Sequence, residues 1–187
     1  ISFGSFVRMC ESHFYRDRID STFFYLEKIT MLTEQLQIPF MVLLSNYYSG
    51  RYHFYNGNHK SSVKHFDFII DNIPDDFDLS MRVVPKVFNA VNFNKMDQPK
   101  RSLEYLALIK NEMGGDDKFE EMEYYNILIQ ALEENNEQDL AKKYLLDAYD
   151  IIMQRSFKVR DRKLRNDFLE KNYWNQKIIT LYNKFNS

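Results

Sequence analysis

Four stretches of this chain repeat one pattern of side-chain sizes at a nearly constant interval, and that interval constrains the fold more than any other feature. STFFYLEKI from Ser21, SSVKHFDFI from Ser61, RSLEYLALI from Arg101 and LAKKYLLDA from Leu140 align without gaps. Each carries a small residue in second place, Thr22, Ser62, Ser102 or Ala141, at separations of 40, 40 and 39. Four residues on stands Leu26, Phe66, Leu106 or Leu145, and three further on Ile29, Ile69, Ile109 or Ala148. Offsets of 0, 4 and 7 fall on one face of a helix. The frame extends backwards: twelve residues before each small position lie Cys10, Gly50, Ala90 and Ile129, and nine before lie His13, His53, Phe93 and Leu132. These belong to a preceding helix; three of the four at the first position are small, and small residues on both facing positions let the two helices pack closely. Turn formers separate them: Asp17, Asn56-Gly57-Asn58, Asp97-Gln98-Pro99 and Asn135-Asn136. Each unit therefore reads as helix, tight turn, helix.

The spacing predicts helices near 3–16, 20–36, 40–56, 59–72, 80–96, 99–113, 117–134 and 137–154, then closing helices near 160–171 and 173–185. Pro39 and Pro85 are expected close to helix starts, and Gly114-Gly115 at the end of the sixth helix. Asp75-Asp76-Phe77-Asp78 is the clearest loop. Five glycines and four prolines are too few for a β-sandwich, so the expected class is all-α: antiparallel helix hairpins stacked in an α-solenoid. The expected organisation is one domain over 1–187, with repeats 3–36, 40–74, 80–114 and 117–154 and closing helices over 157–185. A first residue of Ile1 suggests a piece of a longer protein.

The second unit carries a nameable resemblance. Gly50, His53, Gly57, Ser62, Phe66, Ile69 and Pro74 fall where the tetratricopeptide repeat places Gly, Tyr, Gly, Ala, aromatic, Ala and Pro. The motif's leading Trp is replaced by Phe6, Asn46, Lys86 and Tyr125 in the four units. The period exceeds the usual ~34 residues and is similar to the longer repeats of bacterial regulatory ATPases, cyclases and transcription activators. Leu164 to Leu169, with Asn175, Ile178 and Leu181, is similar to the segment that closes such arrays. The resemblance implies a groove lined by the first helix of each pair, with Glu11, Tyr47, Arg51, Tyr55, Asn94, Lys95, Asn126, Gln130 and Glu133 facing it. It also implies a protein or peptide partner, or another domain of the parent chain.

Chemistry is sparse. No phosphate-loop pattern occurs among so few glycines. Cys10 and His13, three apart on one helix, could face a metal, but they occupy packing positions of the repeat, so no metal, cofactor or catalysis is expected. His59 and His65 complete no ligand set. The run Tyr47, Tyr48, Tyr52, Phe54, Tyr55 reads as packing on two sides of one helix. Arg155, Lys158, Arg160, Arg162, Lys163 and Arg165 form a basic cluster opposed by Asp161, while Asp116, Asp117, Glu120, Glu121, Glu123, Glu133, Glu134, Glu137 and Asp139 make an acidic zone. Such runs commonly form solvated faces. A net charge of −2 does not favour nucleic acid, and one cysteine points to the cytoplasm. The longest apolar run, Ile38 to Leu44, is far short of the ~20 residues of a membrane span.

The sequence thus points first to a non-catalytic interaction scaffold binding peptide or protein. A second reading is a ligand-sensing regulatory domain of a larger signalling ATPase, cyclase or transcription regulator. A third, an enzyme or nucleic-acid reader on a helical scaffold, lacks a constellation of reactive side chains.

Overall fold

Three helix-ending turns obey one hydrogen-bond rule at the repeat interval, as a computed structural model of the chain shows. The structure describes residues 2–14, 19–113 and 118–185, with the backbone alone for Ile19 and Asp20. Gly57, Asp97 and Asn136 adopt left-handed φ values of 72°, 55° and 62°. In each turn the next residue's N–H reaches back five residues, Asn58 to His53, Gln98 to Phe93 and Glu137 to Leu132, at 2.8, 2.8 and 2.9 Å. The left-handed residue itself donates to the carbonyl three back, Phe54, Asn94 or Glu133, at 3.0, 3.1 and 3.1 Å. This is the Schellman closure, which satisfies carbonyls that a helix end would leave orphaned. The corresponding Asp17 lies outside the described residues.

All ten elements are helices, and no strand occurs among the described residues: α1 (Phe3–Phe14), α2 (Ile19–Leu36), α3 (Pro39–Tyr55), α4 (His59–Asn72), α5 (Leu79–Lys95), α6 (Pro99–Glu112), α7 (Met122–Glu134), α8 (Gln138–Lys158), α9 (Arg162–Glu170) and α10 (Tyr173–Phe185). Pro39 and Pro99 open α3 and α6, where a missing N–H leaves no helical bond unmade. Pro85, expected near a start, lies inside α5. The helix begins at Leu79, one residue before the expected 80, where Asp78 caps it, accepting from the N–H groups of Ser80 and Met81 at 2.9 and 3.3 Å. α8 runs four residues beyond the expected 154, and α7 starts at Met122 rather than 117, which lies outside the described residues along with Gly114-Gly115.

The chain divides into two compact units, 1–114 and 115–187. In the first, α1 packs on α2, α3 on α4 and α5 on α6, while α2 also meets α3 and α4 meets α5. Contacts inside the hairpins pair early residues of one helix with late residues of the other. Ser62 Oγ donates to the Gly50 carbonyl at 2.9 Å, and Phe54 faces His59 while Asn46 bonds His65, so α3 and α4 are antiparallel. In the second unit α7 packs on α8, α10 covers both, and α9 bridges α8 and α10.

The repeat positions are the core. Thr22, Ser62, Ser102 and Ala141 are all buried, as are the four large residues and the four apolar residues that follow them. Gly50 shows why smallness matters: a Cβ there would stand 2.9 Å from the Phe66 ring. That ring is fixed, stacked on Phe88 at 4.8 Å between centroids and wholly buried. Eleven consecutive residues of α5, Val83 to Phe93, are buried. A helix apolar on several sides, here through Val83, Val84, Val87 and Val91, is one that neighbours surround.

Candidate functional site

The α3–α5 face of the first unit is held by aromatic and amide contacts. Arg51 is 2% exposed, with its guanidinium 4.2 Å from the centre of the Phe14 ring and 5.5 Å from that of Tyr47. Tyr47 is 4% exposed and meets Tyr48 and Phe66 edge-on. These two expected groove residues therefore present almost no surface, because neighbouring aromatics cover them. Glu11 is half-buried and accepts a 2.7 Å bond from the Tyr48 hydroxyl, tying α1 to α3. Tyr55 and Asn94 are half-buried, and Lys95 is exposed at the end of α5. In the second unit Asn126 is half-buried and donates to the carbonyls of Met122 at 2.8 Å and Trp174 at 3.3 Å. Gln130 donates to Glu134 at 2.9 Å, and Glu133 is exposed.

Two sets of buried and half-buried polar groups join the neighbouring helices. Asn92 donates to Ser62 Oγ and accepts from His59 Nδ1, both at 2.9 Å. Asn89 and the Tyr105 hydroxyl each donate to Asp67 at 2.8 Å. Burial, with the Asp67 carboxylate beside it, pushes the Tyr105 hydroxyl up to about 12. These bonds knit α4, α5 and α6 and satisfy groups that would be costly to bury alone.

The reactive side chains sit in packing roles. Cys10 is wholly buried, donates weakly to the Thr22 carbonyl at 3.8 Å, and has its pKa raised to about 12 by burial, the opposite of an activated thiol. His13 stacks on Tyr25, and His53 stacks on His65 with centroids 5.4 Å apart. Burial lowers the pKa of both His53 and His65. Among the described residues no three His, Cys, Asp or Glu side chains converge on a point where a metal could sit. No helix among them is long and apolar enough to cross a membrane.

A second surface of the first unit escaped the sequence reading. A pocket of about 470 Å³ opens between the start of α3 and the end of α4, lined by Pro39, Phe40, Leu43, Phe68, Pro74 and Phe77. Phe40 is 49% exposed and Phe68 38%. Phe40 and Phe77 face one another with centroids 6.0 Å apart. The readable signal was apolar residues placed at helix ends beside Pro39 and Pro74, where the repeat needs none. No known protein family matches the chain, and neither a curated protein nor a solved structure matches it.

Proposed function

We propose that this chain is a non-catalytic interaction scaffold, a tetratricopeptide-like array of helix hairpins that binds a peptide or a partner protein. The observation that supports it most is the equivalence of the hairpins: the same offsets are buried in all four, and three share one turn geometry at the repeat interval. Repeated hairpins of this kind stack nearest-neighbour fashion and offer extended surface for docking. With Tyr47 and Arg51 inside, the groove positions that keep surface are Glu11, Tyr55, Asn94 and Lys95 in the first unit and Asn126, Gln130 and Glu133 in the second. A random-peptide display selection against the purified chain tests the reading. Enriched peptides should bind the chain and lose affinity on Asn94→Ala with Lys95→Ala, or on Gln130→Ala with Glu133→Ala, at unchanged melting temperature. A selection that enriches nothing, or peptides indifferent to both pairs, would remove the groove reading.

A second reading, a ligand-sensing regulatory domain of a larger signalling ATPase, cyclase or transcription regulator, is favoured by the pocket beside Phe40. Its volume falls in the range of small-molecule sites. A small ligand there would raise the melting temperature, and the rise would keep growing with the logarithm of its concentration above the Kd.

A further inference from the structure

The stretches of sequence that supply the lining of the first unit's apolar pocket carry no lysine or arginine. Between Lys28 and Arg51, and between Lys64 and Arg82, there is no Lys or Arg, while Glu34, Asp67, Asp71, Asp75, Asp76 and Asp78 all fall there. Asp67 and Asp78 are engaged inside the fold, as acceptor for Tyr105 and as cap of α5. Glu34, Asp71, Asp75 and Asp76 are exposed, and they flank in sequence the residues that line the pocket. Leu36 and Ile38, 54% and 46% exposed, extend the apolar surface along the connection into α3. This face asks for a partner that brings bulky apolar side chains on a positively charged stretch.

The second unit carries such a stretch. Phe157, 71% exposed, and Leu164, 61% exposed, are the two most exposed large apolar residues among those described. They bracket Lys158, Arg160, Arg162 and Lys163, all exposed. The one acid between them, Asp161, is occupied as the cap of α9, accepting from the Leu164 N–H at 2.8 Å. Arg155 and Arg165 anchor the segment on backbone carbonyls, Arg155 on Glu120 at 2.7 Å and Arg165 on Val159 at 2.8 Å, which leaves their charges uncompensated by a carboxylate in those contacts. A large aromatic held in water beside exposed cations offers the two kinds of contact, apolar and charged, that a docking partner uses.

We propose that the chain associates with itself head to tail: the Phe157–Leu164 segment of one copy seats its apolar side chains in the Phe40/Phe68/Phe77 pocket of a second, while its lysines and arginines meet Glu34, Asp71, Asp75 and Asp76. The pocket's volume accommodates an aromatic ring with room beside it. Charge complementarity sets the orientation and the encounter rate, and burial of Phe157 supplies the affinity. The contact joins unlike surfaces, so each copy keeps one pocket and one segment available for a further copy unless the assembly closes on itself. This inference stands apart from the groove reading and uses none of its residues.

Sedimentation velocity of the whole chain over a roughly hundredfold concentration range tests it, at about 50 mM and about 500 mM salt. The sedimentation coefficient should rise with concentration, and less so in high salt. Phe157→Ser and Phe40→Ser should each weaken association ~10-fold or more, the loss expected when one large side chain no longer leaves water. Both sites are exposed, so circular dichroism should show an unchanged fold. The decisive sample is an equimolar mixture of the two variants: each retains the surface the other lacks, so dimer should reappear. The proposal is overturned by a wild-type chain that stays monomeric, by either variant associating like wild type, or by a mixture no more associated than its components. Binding of anionic vesicles or an oligonucleotide through Arg160 and Arg162 by a monomeric chain would assign the segment to another partner and overturn it equally.

Discussion

Removing one oxygen atom from the middle of the first unit should cost it about 2 kcal/mol. Ser62 Oγ donates to the Gly50 carbonyl and accepts from Asn92 Nδ2, both at 2.9 Å, and both Ser62 and Asn92 are wholly buried. In Ser62→Ala the Gly50 carbonyl keeps its place in the α3 ladder, so its loss is small. Asn92 Nδ2 loses its acceptor where no water reaches, and an orphaned buried donor costs ~1–3 kcal/mol. The cavity left by a hydroxyl is negligible, so the middle of that range, ~2 kcal/mol, is the expected loss. For a chain of this length that lowers the melting temperature by about 4–8 °C. Thermal melts followed by circular dichroism measure it, with Ser61→Ala as the partly exposed control, expected within ~0.5 kcal/mol of wild type. Repeating Ser62→Ala in an Asn92→Val background separates the cause: with the donor gone, the serine substitution should cost at most ~1 kcal/mol. A Ser62→Ala melt within experimental error of wild type, or equal costs in the two backgrounds, would refute the reasoning.

Three further outcomes follow from the same packing. Gly50→Ala gains roughly 1 kcal/mol of helix propensity but overpacks against the immobile Phe66 ring, so chemical denaturation should show a net loss. Gly4→Ala in α1, with nothing within 4 Å of its new Cβ, should instead stabilise. Asp97→Gly relieves a left-handed backbone at φ 55° and should stabilise by ~1 kcal/mol in the same assay; Gly57→Ala, at φ 72°, should destabilise by a similar amount. Burial lowers the pKa of His53 and His65 below the ordinary 6.5, so the unfolded chain binds more protons than the folded one as the pH falls below that value. Stability is therefore full above about pH 6.5 and declines beneath it. Urea midpoints at several pH values should show the decline, and His65→Gln should flatten it.

Much of this architecture was legible because the repeat writes packing and turns in one register. A small residue at Gly50 and another at Ser62 predict a close crossing, and the carbonyl of one meets the hydroxyl of the other. The turn formers at Gly57, Asp97 and Asn136 share an offset, and they share a backbone conformation. What was harder to read depends on contacts between hairpins. Arg51 looks like a groove residue from its position, but its guanidinium lies over Phe14 of α1 as well as over Tyr47 and Tyr48 of its own helix, and only the last two could be placed beside it from periodicity. The start of α5, by contrast, was read to within one residue, 80 against Leu79, although Pro85 lies inside the helix rather than in its first turn. The pocket beside Phe40 was missed for a related reason: it is lined by helix ends and a loop, where periodicity carries no information, and its signal was only that Phe40, Phe68 and Phe77 serve no repeat position.

The claim on which the account rests is that hairpins of different sequence close in the same way. Nuclear magnetic resonance couplings that report φ at Gly57, Asp97 and Asn136, together with exchange protection of the N–H groups of Asn58, Gln98 and Glu137, measure it residue by residue. The account predicts positive φ at all three positions and slowed exchange at all three following amides. An extended backbone at Asp97 or Asn136, or free exchange at Gln98 or Glu137, would contradict it.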